Sequence, residues 1–397
     1  MKIKKLNQFN LYSIIVKRLQ AQFKTKHSNL GSRHYFKNLN NSENAPNVLI
    51  TYVSEVYDKE DDKLWMEGHA NRWQTREITN SFLNKGFNVD IVDHRDLEFV
   101  PEKKYDIIFG HEPLYWVLVK NHEFDIKIYY ATTLTWIHRN KAIEESVKEL
   151  YDRKNIKLKN PPMDMEHYSW DFSDHVFYFG NNYYLETIKS FIKGAPQYHQ
   201  IQNGIRNVSP PKAKDFTSIT KNFLYLGSWG CVFRGLEKVL EVFAKNPDMN
   251  LYVCNDIIYN TVFFWKFRKL LFNTPNIHTL GFVDTSSDYF KDIVANTTWQ
   301  IYPTGSEASA SSVVLGMRNG LIPLVSKECT VNTGGYGTVF PDNSIETIAT
   351  FAVEASKKSS EHCEDLSNKI IKYSQDNFNE KAFIDSFDSA LNNVMSN

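Results

Sequence analysis

Cysteine is scarce in this chain: four residues, Cys231, Cys254, Cys329 and Cys363, with no CxxC spacing among them. That scarcity excludes a disulfide framework and a cysteine-based zinc site, and it reads as scattered thiols of a reducing compartment. Glycine and proline are also few, 17 and 13 in 397 residues, which excludes collagen-like and low-complexity chains. No apolar run approaches the roughly 18–20 residues of a membrane-spanning helix, so no segment is expected to cross a bilayer. Neither half of the chain shows GxGxxG directly after a strand-like run, so a nicotinamide-dependent oxidoreductase lacks its fingerprint. What is plentiful is apolar and aromatic material, 42% and 14% of residues with 27 Phe, 21 Tyr and 8 Trp, enough for real cores. At roughly 150 residues per domain, the length suits two or three packed units.

Net charge is absent too, but its zero hides an asymmetry. Residues 1–42 hold nine cations (Lys2, Lys4, Lys5, Lys17, Arg18, Lys24, Lys26, Arg33, Lys37) and no Asp or Glu. The remainder therefore carries 37 basic against 46 acidic residues, a net of minus nine. Within an arm of residues 1–45, Leu11, Ile15, Leu19 and Phe23 recur every fourth position, which would line one side of a helix. Such a basic amphipathic helix suits an anionic membrane surface, with its apolar face among acyl chains and its cations on phosphates. A solvated arm, or a helix docked on the body, explains the same pattern. Nucleic acid is not expected as a partner, because the acidic body repels phosphates.

From Asn47 the pattern alternates between strand and helix. Strands are expected at 47–53, 88–92, 106–109, 127–130, 175–179 and 197–201, with helices at 70–85, 142–151 and 183–192. A Pro- and Ser-containing stretch, 207–218, separates this half from a second cycle. There strands are expected at 222–226, 250–254, 277–280, 299–302 and 321–325, a helix at 235–245, and only helices from Ile345 onward. This alternation gives mainly parallel sheets covered by helices, so the expected fold class is α/β, with two Rossmann-like doubly wound domains. The domains are drawn at 46–210 and 218–344, with C-terminal helices over 345–397 packing back toward the first domain. Ligands of such sheets bind at strand carboxyl ends, and two ends facing across a cleft would hold a donor and an acceptor.

Two loops carry chemistry. In residues 226–236 a strand runs into Gly227, Ser228 and Gly230, and a helix begins beside Arg234. Glycines allow close backbone approach, helix N-termini attract anions, and an arginine adds a fixed charge suited to a diphosphate; a plain turn with a surface arginine is the alternative. In residues 302–317 a strand enters a small-residue loop, Gly305-Ser306-Glu307-Ala308-Ser309, followed by a helix start with Ser311 and Ser312. A Ser-rich N-cap explains the serines without a ligand, but not the lone Glu307, whose carboxylate can hold sugar hydroxyls. His69 and His111, although a single His is more often structural, and Asn71, Arg72 and Glu77, otherwise a solvated face, are further candidate site residues. Residues 262–272 form a basic, aromatic helix that suits a core helix with a charged outer edge, or membrane contact.

Residues 227–236 resemble the glycine-loop and Lys-Gly element of family 4 retaining glycosyltransferases of the GT-B fold. Residues 302–323 resemble the Pro-Ser, Glu-Gly, Glu-Ala-Met and Gly-Leu-Pro signature of that family. Phe109-Gly110-His111-Glu112-Pro113 is similar to its strand-end His-Glu-Pro segment, and Ile201-Gln202-Asn203-Gly204-Ile205 to the Asn-Gly-Val ending its first domain. The likeness is clear over about 220–326, weaker over 47–205 and absent from 1–45.

The resemblance implies that Arg234 stands at the phosphate-binding lysine and Glu307 at the first Glu, which holds the donor sugar. It implies that Ser309, Ser311 and Ser312 supply backbone amides around sugar and phosphate, with Gly227, Ser228, Gly230, Gly305 and Ser306 lining the donor side. Arg234, Glu307 and His111 are then the catalytic candidates, and His69 and Asn71 the acceptor side. Two positions depart from the pattern: Leu315 replaces the ribose-binding second Glu, and Ser228 replaces an arginine. The function implied is transfer of a hexose-type sugar from a nucleotide-sugar donor to a glycan or lipid-linked acceptor, with retention, in surface polysaccharide or glycoconjugate synthesis. No metal or cofactor is expected, and the setting is cytoplasmic, at the inner face of the membrane through residues 1–42. A non-catalytic, glycosyltransferase-like sugar-binding or scaffold subunit is the alternative that the two departures suggest, and a UDP-sugar epimerase on the same fold is a further one.

Overall fold

The protein is described by a computed structural model over residues 35–396, apart from Asn38, Asn41, 159–161, Ser190, 207–209, Trp229 and 258–260. The amphipathic helix expected through Leu11, Ile15, Leu19 and Phe23, with the tether placed on it, lies outside the described residues. In chain order the first half runs β1 (Tyr35–Phe36), β2 (Asn47–Tyr52), α1 (Lys63–Glu67), α2 (Ala70–Asn84), β3 (Asn88–Asp93), β4 (Ile107–Gly110), α3 (Leu114–Asn121), β5 (Ile126–Ala131), α4 (Trp136–Lys154), β6 (His175–Phe179), α5 (Asn182–Lys189) and β7 (Gln197–Ile201). The second half runs α6 (Phe216–Ile219), β8 (Asn222–Leu226), α7 (Leu236–Lys245), β9 (Asn250–Cys254), α8 (Thr261–Asn273), β10 (Ile277–Gly281), α9 (Asp288–Ala295), β11 (Trp299–Tyr302), α10 (Ser311–Arg318), β12 (Ile322–Ser326), β13 (Thr338–Phe340), α11 (Ile345–Ser356), α12 (Ser360–Asn377) and α13 (Glu380–Met395).

These elements fall into two compact units. The first takes the described residues of 29–136, 165–206 and 377–397, and the second those of 137–164 and 207–376. Residues 137–164 therefore group with the second sheet although they precede β6 in the chain. Arg153 and Lys154 at the end of α4 reach Glu241 of α7 at 3.0 and 2.9 Å, and Lys238 of α7 reaches Glu149 at 2.6 Å. Of the C-terminal helices, α11 and nearly all of α12 belong to the second unit and α13 to the first. Tyr35 and Phe36, counted with the arm by sequence, form β1 instead, antiparallel to β3 with Tyr35 opposite Val92.

The first sheet has strand order β1-β3-β2-β4-β5-β6-β7, parallel except for β1. Strands such as β2 (NVLITY) and β6 (HVFYF) are buried on both faces, which is why they read as continuous apolar runs without alternation. The second sheet has order β10-β9-β8-β11-β12-β13, parallel throughout. In each sheet the chain leaves a central strand in one direction and returns on its other side, between β2 and β4 and between β8 and β11. Those reversals are the switch points where ligands of doubly wound sheets bind.

Packing fixes where the switch-point loops begin. On β8, Phe223, Leu224 and Tyr225 are fully buried, and Phe223 packs edge-on to Phe243 at 5.0 Å and stacks on Trp299 at 6.2 Å. Burying one such side chain contributes about 1.5–3 kcal/mol, and slipping β8 by one residue would swap its two buried faces and break this aromatic packing. Phe223 and Leu224 pair in register with Trp299 and Gln300 of β11, which places Gly227 and Pro303 at one edge of the sheet. No helix among the described residues is long and apolar enough to cross a membrane. The four cysteines are unpaired and buried.

Candidate active site

In the second unit the two switch-point loops interlock. Gly230 is left-handed (φ 85°), and a Cβ there would sit 2.1 Å from the Phe233 ring. Gly235 caps α7 at φ 71°, where a Cβ would lie 2.5 Å from the Pro303 carbonyl oxygen. Both positions therefore need glycine for space and for backbone conformation. The Gly305 N–H closes the second loop onto the first by donating to the Phe233 carbonyl at 2.7 Å.

The result is a compact charged cluster around Arg234. Its Nη1 donates to Ser228 Oγ at 3.0 Å and to Tyr302 Oη at 2.9 Å, and its Nη2 pairs with Glu307 Oε1 at 2.7 Å. Tyr302 in turn donates its hydroxyl proton to the same Glu307 oxygen at 3.2 Å. Arg234 and Glu307 are only 15% and 21% exposed at the side chain. Burial works against the Arg234 charge, but Glu307 and Tyr302 outweigh it, so the guanidinium pKa is raised and it stays a fixed cation. Tyr225 adds a brace, donating to the Arg234 carbonyl at 3.2 Å.

The Glu307 loop is shaped by its backbone. Ser309 is left-handed (φ 51°), and its N–H donates to Thr330 Oγ1 at 2.6 Å, while that hydroxyl donates to the Glu307 carbonyl at 3.1 Å. A non-glycine residue at positive φ is strained, and such strain clusters at functional loops. Ser306 Oγ is buried with no hydrogen-bond partner among the described residues. The residue that caps α10 is Ala310, with no side-chain cap, so the serines of this loop do not serve as its N-cap. Ser311 and Ser312 open the helix. Leu315, at the position of the absent carboxylate, packs on the apolar cluster containing Leu224, Leu226, Cys254 and Leu280.

In the first unit His111 follows β4 directly. Its Nδ1 lies 3.0 Å from the Tyr130 carbonyl and 3.1 Å from Glu112 Oε2, two acceptors that place the proton on Nδ1. Tyr129 donates to the same Glu112 oxygen at 2.6 Å, and His167 Nε2 lies 3.6 Å from Oε1. Burial raises the Glu112 carboxyl, but His111, His167 and Tyr129 outweigh it and hold it below the ordinary carboxylate range. The His94 ring is centred 5.6 Å from that of His111, and burial together with His111 pushes its pKa down to about 4.

His69 stands at the N-cap of α2, where its side chain accepts the Asn71 N–H at 3.3 Å. That gives His69 a structural task. Asn71 Oδ1 is buried without a hydrogen-bond partner among the described residues. Arg72 stacks on Trp65 at 4.1 Å, and Glu77 pairs with Arg206 at 3.3 Å, beside Glu380. Among the candidates read from sequence, then, Arg234 touches both Ser228 and Glu307, Gly305 ties the two loops together, and Ser309 fastens the Glu307 loop to Thr330. His111 belongs to a separate cluster in the first unit, and His69 and Asn71 to the start of α2. Sequence reasoning did not single out Tyr302, Thr330, Glu112, His94 or His167 as site residues. Tyr302 and Glu112 had a signal, since each ends or follows a strand within 302–323 or 109–113, while Thr330, His94 and His167 reach Glu307, His111 and Glu112 only through the fold.

No protein-family model and no curated protein sequence matches the chain. Solved structures do. Sucrose-phosphate synthase from Thermosynechococcus elongatus superposes with a TM-score of 0.60 at 12% identity, over 89% of this chain and 99% of that one. HepE from Anabaena, solved with UDP and glucose, gives 0.54 at 9% identity over 89% and 99%. WaaG, a glycosyltransferase involved in lipopolysaccharide biosynthesis, gives 0.53 at 13% identity over 87% and 98%. With two mainly parallel α/β sheets of these orders, the chain has the GT-B fold of those glycosyltransferases.

Proposed function

We propose that this protein is a glycosyltransferase moving a hexose-type sugar from a nucleotide-sugar donor to a glycan or lipid-linked acceptor with retention of configuration. The observation that carries the proposal is the Arg234–Tyr302–Glu307–Ser228 cluster at the switch point of the second sheet. Solved neighbours of the fold include one holding UDP and glucose, which supports a nucleotide-sugar donor here.

The residues divide the work as follows. A donor diphosphate takes the place of the neutral Ser228 and Tyr302 oxygens on Arg234, whose planar fork suits phosphate. Glu307 keeps the guanidinium oriented with one oxygen and accepts a sugar hydroxyl with the other. Backbone amides of Ser309, Ser311 and Ser312 meet the remaining charge. The acceptor oxygen bonds to the anomeric carbon on the face that the diphosphate leaves. As the old C–O bond breaks, its electron pair passes to the phosphate oxygen, which takes the acceptor proton. Charge building on the leaving group is stabilised by donors already in place, and no metal ion is called for. His111 polarises the acceptor hydroxyl or holds the sugar, with His69 and Asn71 on the acceptor side. Residues 1–42 attach the protein to an anionic membrane surface on the cytoplasmic side, where a lipid-linked acceptor in surface-glycan synthesis is found.

A thermal-shift screen against UDP, GDP, ADP and CMP sugars tests the donor half of this reading. Ligand at about 100 times its Kd stabilises by about 2.7 kcal/mol, a readily measured rise. One base class should raise the melting temperature of wild type and much less that of Arg234→Ala. No shift with any nucleotide sugar removes the donor site and leaves the scaffold reading.

A further inference from the structure

Among the described residues, helix α8 is packed on one side and unpartnered on the other. Phe263, Phe267 and Leu271, four residues apart, are buried, with Phe263 and Phe267 stacked at 4.4 Å and the helix lying on β10. That satisfies the core and accounts for one face. The opposite face carries Val262, Trp265, Lys266 and Lys269, spaced i, i+3, i+4 and i+7, a single surface stripe on a helix. Val262 is 44% exposed and Trp265 57%, the second far more than an indole needs for one polar contact. Arg268 lies over the Trp265 ring at 5.6 Å and donates to its carbonyl at 2.8 Å, so a second cation flanks the indole. The helix contains no Asp or Glu, and among the described residues none of Lys266, Arg268 and Lys269 pairs with a carboxylate.

The position of the stripe is as informative as its composition. Leu226 of β8 pairs with Cys254 of β9, so the carboxyl ends of both strands lie at one edge of the second sheet. The chain enters α8 from that edge, and Val262 and Trp265 are in its first turns. Trp265 is thus at the edge that bears the Arg234 and Glu307 loops, while Lys266 and Lys269 continue the stripe along the helix.

We propose that the exposed face of α8 is a docking surface for an anionic lipid bilayer, with Trp265 and Val262 seated at the headgroup level and Lys266, Arg268 and Lys269 on lipid phosphates. Tryptophan favours this boundary because its ring is apolar while its N–H needs a wet partner. Each cation near an anionic surface adds about a factor of five in binding. The occupant is a bilayer and not a free polyanion because the stripe leads with exposed apolar and indole groups, which phosphates in solution do not cover. This surface is separate from residues 1–42. It deepens the glycosyltransferase reading by bringing the donor-loop edge of the second unit to a lipid-linked acceptor.

The test uses the full chain with vesicles of phosphatidylcholine alone or mixed with phosphatidylglycerol. Wild type should sediment with the mixed vesicles, and Lys266→Glu/Lys269→Glu should bind them at least about tenfold more weakly. Brominated acyl chains should quench part of the wild-type tryptophan emission, and Trp265→Phe, a change that keeps an aromatic ring in place, should abolish that part. A nucleotide-sugar thermal shift unchanged in both variants separates loss of docking from loss of fold or of donor binding. Vesicle binding equal in wild type and the charge variant, or quenching unaffected by Trp265→Phe, overturns the proposal even if residues 1–42 hold the protein to lipid. Binding to heparin with none to vesicles overturns it as well.

Discussion

Replacing Arg234 by alanine removes the hub of the second unit's switch point, and the cost follows from its surroundings. The guanidinium touches Glu307 Oε1 at 2.7 Å, with both side chains about four-fifths buried. Removing one partner of a fully buried pair costs about 3–5 kcal/mol, because the other charge is left desolvated. Glu307 keeps the Tyr302 hydroxyl at 3.2 Å and some access to water, so about 2 kcal/mol is the expected loss. In a unit of this size that lowers Tm by about 4–8 °C. Glu307→Ala should cost less, since Arg234 retains Ser228 and Tyr302 as acceptors. The double variant should be about 1–2 kcal/mol more stable than the sum of the singles, a coupling readable from urea unfolding. Arg234→Lys should regain part of the stability but little of the transfer rate, because an ammonium lacks the planar fork. Additive single changes, within about 0.5 kcal/mol, would show that the ion pair does not organise the site.

Further outcomes follow from the same geometry. Gly235→Ala meets the Pro303 carbonyl at 2.5 Å and a left-handed φ, so it should destabilise by about 2 kcal/mol and weaken donor binding, measured by calorimetry. His94, held neutral with a folded pKa of about 4 against an ordinary value of 6.5, binds its proton more readily in the unfolded chain. Its contribution is therefore whole above pH 6.5 and lost as pH falls toward 4, and His94→Gln should flatten the acid limb of a stability–pH curve in that window. Glu112 has the opposite chemistry and the same sign: its lowered carboxyl pKa stabilises above the ordinary carboxylate range, and Glu112→Gln should lose most at neutral pH and converge with wild type in acid.

The sequence reported the sheets well where strands are buried on both faces. Segments 175–179 and 222–226 coincide with β6 and β8 because their burial leaves uninterrupted apolar runs. The strands it missed, β1 and β13, have two and three residues, too few for any period to show. Helix α4 begins at Trp136 and not near 142, since its first turns mix apolar, cationic and amide residues without a clean stripe. Its membership of the second unit rests on ion pairs from Arg153 and Lys154 to Glu241, long-range contacts that no local pattern encodes. The loops bearing Arg234 and Glu307 were legible as strand-to-helix passages with a charge in small-residue company. Their mutual ion pair was not, because it depends on β8 and β11 being neighbours. The same holds for Glu112 and His167, joined only by the fold.

If the Arg234–Glu307 cluster handles a nucleotide sugar as proposed, chemistry on the donor depends on Glu307. Release of nucleoside diphosphate from a panel of nucleotide sugars, with and without glycan and lipid-linked acceptors, tests it in wild type and Glu307→Ala. Wild type should turn over donors of one base class, stimulated by acceptor, and the variant should be slower by about a hundredfold or more. No turnover of any donor by wild type, or equal turnover by both proteins, would contradict it.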